Sequence, residues 1–396
     1  MQLKQHKIVI FGLVIMVMLG TVYSWSVFRV HVESEFGISN TLSGLPYMVS
    51  LGFYALSMMF AGPYLDHYSP RIMVMIGGVI IGAGWILAGF SQSILVLTLA
   101  YGVLVGIGIG VAYGVPMRVV AKWYPRHQGL MVGLILGGFG ISPLFTAPLA
   151  GGLIENFGLS ASFKILGAFY VIVIPLLGLA MKNPQKTLAG PKARTTNLTP
   201  TKSLGGREMV RTRAFRGLYF SFILGTTIGL MVIGNTGGAG LALTDRSSLQ
   251  IAQMISVFAV FNGIGRPFFG WVTDRSGYQA AMTLSFVLIA LAGIVMRLFG
   301  GMHWGVFLVA YAVLWFNLGG WLAIAPATTA QLFGPEHYSR NYGIMMTAYG
   351  LGAILGTLSS GAIVDFLGGY GEKFTLIVLL AFLGLWTVRK MGWEKG

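Results

Sequence analysis

The sequence predicts an all-α membrane protein with twelve transmembrane helices arranged as two six-helix halves. Hydrophobic residues make up 55% of the chain and charged residues only 9%, and two sequence patterns recur at nearly one offset. A soluble domain carries roughly 25% charged residues, so this chain lacks the polar surface that water requires. Apolar runs recur almost end to end along the 396 residues, which fits about twelve spans of roughly 20 residues each.

The predicted spans fall into two groups separated by a polar break. They are 8–30, 42–65, 72–90, 94–121, 128–156 and 160–181, followed by 217–243, 248–273, 279–300, 303–333, 339–367 and 373–390. The break has nine Lys or Arg, one acid and three prolines, without apolar periodicity. The domains are therefore an N-terminal half at 1–181, a cytoplasmic linker at 182–216 and a C-terminal half at 217–396. The first apolar stretch is longer than the core of a signal peptide and predicts an uncleaved helix.

The distribution of basic residues predicts the orientation of the chain. With the N-terminus inside, 19 of the 26 Lys and Arg fall in cytoplasmic segments, five fall outside, and Arg118 and Arg266 lie within spans. This asymmetry predicts a multi-pass inner-membrane protein with both termini in the cytoplasm. It also accounts for the net charge of +15 without a nucleic-acid partner. The absence of cysteine excludes disulfides and thiolate metal sites, and neither a metal nor a cofactor is expected.

Two patterns repeat between the halves. Gly62-Pro-Tyr-Leu-Asp66 recurs as Gly270-Trp-Val-Thr-Asp274, and Ala150-Gly-Gly-Leu-Ile-Glu-Asn-Phe-Gly158 recurs as Ser360-Gly-Ala-Ile-Val-Asp-Phe-Leu-Gly368. A duplicated six-span unit encloses a cavity between its halves, as in alternating-access transporters. The first pattern, with Arg71 and Arg275 after it, resembles the loop signature of the major facilitator superfamily. That resemblance implies that Asp66, Arg71, Asp274 and Arg275 lock neighbouring helix ends on the cytoplasmic side.

Arg266 is the leading candidate for a ligand-binding residue. It lies about seven residues inside the end of the eighth span, roughly 10 Å along the helix axis. A charge near a helix centre costs about 2.5–3.5 kcal/mol on insertion scales, so it needs compensation. The core of every predicted span is free of Asp and Glu, and a guanidinium holds a carboxylate through two parallel hydrogen bonds. We therefore predict an anion-binding role for Arg266; the alternative is a side chain that snorkels to the interface.

Five other residues are candidates for the same cavity. Arg118 lies one turn before another basic residue, so it is either a cavity cation or an interfacial anchor. Tyr113 and Tyr349 lie mid-span among glycines, where a phenol needs the polar partner that a cavity supplies better than lipid. Tyr23 and Trp25 lie late in the first span, and the interfacial aromatic belt is an equal alternative for Trp25.

Several segments resemble the oxalate:formate antiporter branch of the superfamily, which is related to the monocarboxylate transporters. The matching segments are Tyr23-Ser-Trp25, Asn262 with Gly265-Arg266-Pro-Phe, Phe316-Asn-Leu-Gly-Gly320 and Arg340-Asn-Tyr-Gly343. The resemblance covers the whole chain. It implies that Arg266 is the carboxylate-binding arginine and that Tyr23 and Tyr113 line the cavity with Asn262 nearby.

The chain departs from this pattern at three positions. The oxalate exchanger has a lysine where this chain has Tyr349, and its relatives have asparagine where Arg118 stands. The proton-coupled animal transporters have an aspartate where this chain has Asn262. All six histidines lie in loops or near span ends, so neither a carboxylate nor an imidazole proton carrier is evident in the cavity. The coupling partner, a proton or a counter-anion, stays open.

These observations favour a secondary active transporter for a small organic anion, a monocarboxylate of the formate, lactate or pyruvate type. The alternative is a dicarboxylate exchanger of the oxalate type. An exporter of cationic drugs would need buried acids and a sensor would need a signalling domain, and the sequence has neither. Enzyme motifs are also absent. The expected surroundings are the lipid bilayer, the carboxylate and its coupling partner, with the chain acting as a monomer.

Overall fold

The computed structural model describes residues 2–62, 64, 68–124, 128–184, 203–300, 303–334 and 336–390, and every regular element in these ranges is helical. The helices up to the linker are α1 (Gln2–Leu19), α2 (Trp25–Phe36), α3 (Asn40–Ser43), α4 (Leu45–Ala61), α5 (Pro70–Ala88), α6 (Ile94–Leu97), α7 (Gly106–Trp123) and α8 (Gln128–Gly178). The remaining helices are α9 (Gly206–Met209), α10 (Arg213–Ile233), α11 (Thr236–Leu243), α12 (Ser248–Ser276), α13 (Tyr278–Phe299), α14 (Trp304–Phe333), α15 (Tyr338–Leu367) and α16 (Glu372–Lys390).

Each predicted span coincides with one helix or with consecutive helices, which confirms the all-helical membrane fold. The first span consists of α1, a 3-10 turn at Gly20–Ser24 and α2. The fifth and sixth spans run on as α8, which is broken at Gly158, where φ is 78° and ψ is 172°. This backbone conformation is essentially restricted to glycine. Ten segments in the described ranges are long and apolar enough to cross a membrane, so the exact number of twelve stays a prediction.

The described part of the predicted linker, from residue 203, contains the short helix α9 and the start of α10. The Glu208 carboxylate accepts the backbone N–H of Gly205 at 3.1 Å at the start of α9. The Leu204 backbone N–H donates to the Phe333 carbonyl at 3.0 Å, and the Asn341 amide donates to the Leu204 carbonyl at 2.9 Å. These bonds hold the end of the linker against α14 and α15, because short polar segments satisfy their backbone groups on neighbouring helix ends.

Two glycines allow the helix that carries Arg266 to contact the backbone of its neighbour, and this contact fixes its position. A Cβ added at Gly265 would collide with the Phe316 carbonyl of α14, and one added at Gly319 would collide with the Asn262 carbonyl of α12. The two backbones are therefore in direct contact, as small residues permit in membrane helices. This contact sets the rotation of α12 and points the opposite face of the helix at the other half.

A polar network joins the two halves at one end of the helices, here called the Arg29 end. The Arg29 side chain is only 2% exposed. It donates to the Ser43 hydroxyl at 2.9 Å, to the Asn40 side-chain oxygen at 2.7 Å and to the Gly234 carbonyl of the second half at 2.8 Å. Glu33 lies 3.4 Å from its Nε. The sequence counts Arg29 among the five basic residues on the outer side, and the structure buries its side chain in contact with both halves.

Asp365 of α15 completes this network. Its two oxygens accept the backbone N–H groups of Asn40 and Thr41, each at 2.9 Å, at the start of α3 in the first half. The Asn235 amide donates to Asn40 at 3.1 Å, and the Asn40 amide donates to the Tyr370 phenol at 3.3 Å. Burial, more than the neighbouring charges, raises the pKa of Tyr370 to about 12, so the phenol stays neutral at physiological pH. The halves are thus closed on each other at the Arg29 end.

We predict that the Asp365→Asn variant weakens this closure. The amide keeps one acceptor but loses the charge that strengthens both bonds, which costs about 1 kcal/mol at an exposed position. In a background carrying Ser26→Cys, a buried position against α11, a polar thiol reagent added to the purified protein should react about five times faster. The control is Asp245→Asn, because Asp245 is exposed and lies between α11 and α12. Equal reaction rates in the two variants would mean that Asp365 does not hold the halves together.

Candidate functional site

Five aromatic rings from both halves meet midway along the helices. The Phe139 ring of α8 lies 5.1 Å from that of Tyr23, 5.3 Å from Tyr113 and 6.1 Å from Tyr54, measured between ring centroids. Tyr349 of α15 joins them from the second half, with its phenol 2.8 Å from the Tyr23 phenol and its ring 5.7 Å from that of Tyr54. All five side chains are buried. The 3-10 turn that interrupts the first span carries Tyr23 into this cluster.

Arg266 lies beside these rings, and its residue is 3% exposed. Its Nη1 donates to the Leu136 carbonyl of α8 at 2.5 Å, and its guanidinium carbon lies 5.9 Å from the Phe139 ring centroid. Its Nε and Nη2 are buried, and no acceptor in the described residues is within reach of either nitrogen. These two nitrogens form one edge of the guanidinium, and that edge can donate two parallel hydrogen bonds to a carboxylate.

Asn262 lies one turn before Arg266 on the same helix. Its amide nitrogen donates to the Trp315 carbonyl at 3.0 Å, while its Oδ1 is buried and receives no hydrogen bond from the described residues. A Cβ added at Gly140 would lie 2.6 Å from that oxygen, 3.0 Å from Arg266 Nε and 3.2 Å from Nη2. Two free donors and one free acceptor therefore converge on the Gly140 backbone of the opposite half. Such a group can bind a carboxylate and accept a hydrogen bond from a protonated ligand atom only once Gly140 moves away, because the present spacing leaves no room even for a Cβ.

Two predicted residues lie outside this cluster. Trp25 donates to the Ser43 carbonyl at 3.2 Å, and its ring lies 4.5 Å from that of Tyr101. It belongs to a separate aromatic group within the first half, formed with Phe28, Trp85, Tyr101 and Phe163. Arg118 is half-buried in α7, five residues past Tyr113 and so about 7.5 Å further along the axis. Whether Arg118 is a cavity cation or an interfacial anchor stays open.

The described residues of the loop signature, Arg71, Asp274 and Arg275, lie at the opposite end of the helices. The Asp274 carboxylate accepts from the Gln331 amide of α14 at 3.5 Å, and the Arg275 guanidinium lies 5.6 Å from the Trp271 ring of its own helix. Arg71 is the second residue of α5, and Asp66 lies outside the described residues. Asp274 thus contacts a neighbouring helix end, while the locking role of the four residues stays a prediction.

Sequence reasoning missed Tyr54 and Phe139, although both contact the predicted residues. Phe139 lies in an apolar run in which a phenylalanine facing lipid and one facing the cavity look alike. Tyr54 offered a usable signal, because it is a tyrosine in mid-span like Tyr113. Among the residues that the structure describes, no group of three His, Asp or Glu side chains could hold a metal ion.

Two helical halves with recurring sequence patterns are typical of the secondary transporters built from repeated helix bundles. The model of the Major Facilitator Superfamily matches residues 10–243 and 241–393. The chain therefore belongs to that superfamily, which places it among transporters and not among enzymes, as the sequence predicts.

Known proteins similar to this chain agree with that assignment. The oxalate:formate antiporter of Oxalobacter formigenes is 28% identical over 92% of this chain and 85% of its own length. Monocarboxylate transporter 12 of Xenopus laevis is 23% identical over 80% of this chain and 73% of its own. The inward-facing, occupied structure of a bacterial homolog of the human lysosomal transporter Spinster covers 97% of this chain and 98% of its own, with a TM-score of 0.70. At 15% identity this last match shows the fold alone.

We predict that Gly140→Ala abolishes most transport while the protein still inserts. The added methyl group would press on Asn262 Oδ1 and on the free edge of Arg266, at separations that real Cβ atoms rarely show. The matched control is Gly137→Ala on the same helix, where a Cβ meets no atom within 4 Å. Uptake into proteoliposomes, normalised to inserted protein, provides the measurement. Similar uptake by both variants would show that the edge facing Gly140 is not used.

Proposed function

We propose that this protein is a secondary active transporter that moves a small monocarboxylate across the membrane by alternating access. The observation that carries the proposal is the free, buried Nε and Nη2 edge of Arg266 at the contact between the halves. A carboxylate compensates that charge with ideal geometry, and few other small ligands do. The names of the relatives, an oxalate:formate antiporter and monocarboxylate transporters, support the same class of cargo.

The charges around Arg266 favour a monoanion over a dianion. The residue that α15 contributes to the aromatic cluster is Tyr349, an uncharged phenol that is hydrogen-bonded to Tyr23. A second carboxylate placed there would be desolvated without a matching positive charge, which is costly at this depth. The likeness to the oxalate:formate antiporter supports a dicarboxylate exchanger as the second candidate. In that candidate Arg118 supplies the second cation.

Exchange of one anion for another is the coupling that we infer. Arg266 donates one hydrogen bond to the Leu136 carbonyl of the other half, and its Nε and Nη2 edge has no partner in the described residues. A carboxylate bound to that edge would weaken the hydrogen bond to the carbonyl. Anion binding and the contact between the halves are therefore linked. A proton carried on the substrate–arginine assembly is the alternative, since Asn262 does not titrate.

The same proposal includes the placement of the chain in the cell. We infer an inner-membrane protein with cytoplasmic termini and a cytoplasmic linker at 182–216, acting as a monomer. The 19-to-five distribution of basic residues supports this orientation. It puts the Arg29 end outside and the Asp274 end inside.

We predict that Arg266→Lys loses most uptake of radiolabelled lactate or formate and that Arg266→Gln loses essentially all of it. An ammonium keeps the charge but cannot form the two parallel bonds, and glutamine keeps neither property. The control is Arg246→Gln, because Arg246 lies in the loop after α11, over the Trp304 ring at 4.8 Å. Wild-type uptake by Arg266→Gln in proteoliposomes would remove Arg266 from the site.

We also predict that vesicles preloaded with a monocarboxylate take up labelled lactate faster, without a pH gradient, and that oxalate competes more weakly than formate or pyruvate. The Tyr349→Lys variant should shift this preference toward oxalate, because it adds the missing cation beside Tyr23. The Tyr349→Phe variant removes the phenol without adding charge and should not shift it.

Two results would contradict these expectations. Preloading that leaves uptake unchanged, while a proton gradient drives it, would replace exchange by symport. Oxalate competition equal to that of lactate in the wild-type protein would replace the monocarboxylate by a dianion and make Arg118 the second cation.

A further inference from the structure

Lys373, in the first turn of α16, is a buried lysine that the Arg266 site does not use. It is 0% exposed, and no acceptor in the described residues is within hydrogen-bond reach of its Nζ. That nitrogen lies over two aromatic rings, 4.7 Å from the Tyr370 centroid and 5.9 Å from that of Phe374. By contrast, Arg297 on the neighbouring α13 pairs with Glu372 at 3.0 Å. An ammonium removed from water favours an anionic partner, which aromatic faces replace only in part.

The position of Lys373 relates it to the contact between the halves. Its neighbour Tyr370 accepts a hydrogen bond from Asn40 of the first half, and Asn40 in turn accepts one from Arg29. Lys373 therefore lies directly behind the polar network of the Arg29 end and faces away from lipid. Separation of the halves at this end would break the Asn40–Tyr370 hydrogen bond beside Lys373.

The acids of the network are already engaged with other groups. Glu33 Oε1 accepts from the Ser43 hydroxyl at 2.6 Å and from the Asn40 amide at 2.8 Å. Both oxygens of Asp365 accept backbone N–H groups. The described part of the chain thus gives Lys373 no carboxylate of its own, so the cation is available to a ligand.

We propose that Lys373 forms a second anion site, which receives the carboxylate between the outer solution and the Arg266 site. This inference rests on the proposed function, since it assigns a step to the same cargo. The two sites are separate positions along the pathway. Asp365, in the network that Lys373 lies behind, is sixteen residues beyond Tyr349 on α15, about 24 Å along the axis.

The first test compares the two sides of the membrane. In right-side-out vesicles, Lys373→Gln should raise the concentration of lactate that gives half-maximal uptake about tenfold, as expected for one lost charge-assisted bond. In inside-out vesicles, the half-saturating concentration should not change, and the maximal rate should persist on both sides. Lys373→Arg should bring the half-saturating concentration most of the way back to the wild-type value. If the Lys373→Gln protein does not insert, Lys373→Met replaces it in the same measurement.

The matched control is Lys164→Gln. Lys164 also lies over a ring near the Arg29 end, 4.1 Å from the Phe90 centroid, but within the first half. Its removal should leave both half-saturating concentrations unchanged. An equal change from both sides, no change, or the same change in the Lys164→Gln variant would overturn the second site. A change that occurs only in anionic lipid would assign Lys373 to a phospholipid headgroup and overturn it as well.

The second test does not depend on transport. The chain has no cysteine, and a side chain added at Gly369 meets no atom within 4 Å. In a Gly369→Cys background, the cysteine should react faster with an anionic methanethiosulfonate than with a cationic one. The Lys373→Gln substitution should bring the ratio of the two reaction rates close to one. If the wild-type protein transports no carboxylate, the proposed function fails while this ratio still tests the site. A ratio that does not respond to Lys373→Gln would overturn the anion site itself.

Discussion

The compensation of one buried guanidinium is the constraint on which the rest of this structure depends. Hydrocarbon cannot solvate Arg266, so the protein has to supply every interaction around it. The Leu136 carbonyl satisfies one nitrogen and the Phe139 ring faces the charge, yet Nε and Nη2 stay without a partner. The glycines serve the same purpose: Gly265 and Gly319 bring α12 against α14, and Gly140 brings α8 against the free edge. A larger residue at any of the three would move the cation.

The two ends of the helices differ in how they join the halves. At the Arg29 end, charged and amide groups from both halves bond directly, and Asp365 accepts two backbone N–H groups from the opposite half. At the other end, Asp274 contacts Gln331 within the second half. Polar contacts of this kind are specific in geometry but modest in net energy, because water competes for the same groups when they separate. They suit a closure that has to form and break repeatedly.

Most of the helical spans could be predicted from the sequence, because the membrane restricts the patterns that a span can have. A span must be apolar over a fixed length, and the break at Gly158 or between α10 and α11 does not hide that pattern. The site was predictable where a residue was anomalous for its depth, as with Arg266, Tyr113 and Tyr349. Phe139 gave no such signal, because its type is ordinary in lipid. The burial of Arg29 and Lys373 gave no sequence signal for another reason: charges at span ends are normally solvated, and tertiary packing buries these two.

The arrangement of cations along the pathway bears on how a carrier releases its cargo. A site that holds an anion with several charges at once binds it tightly and lets it go slowly, whereas passage requires binding strong enough for entry and weak enough for exit. Here Arg266 offers one edge with two donors, and Lys373 lies at a different depth behind the Arg29 network. Each site has one basic side chain beside aromatic rings, rather than two basic side chains that hold the same anion. A monovalent carboxylate matches such a series, since it can leave one cation as the halves rearrange and meet the next without leaving a second charge uncompensated.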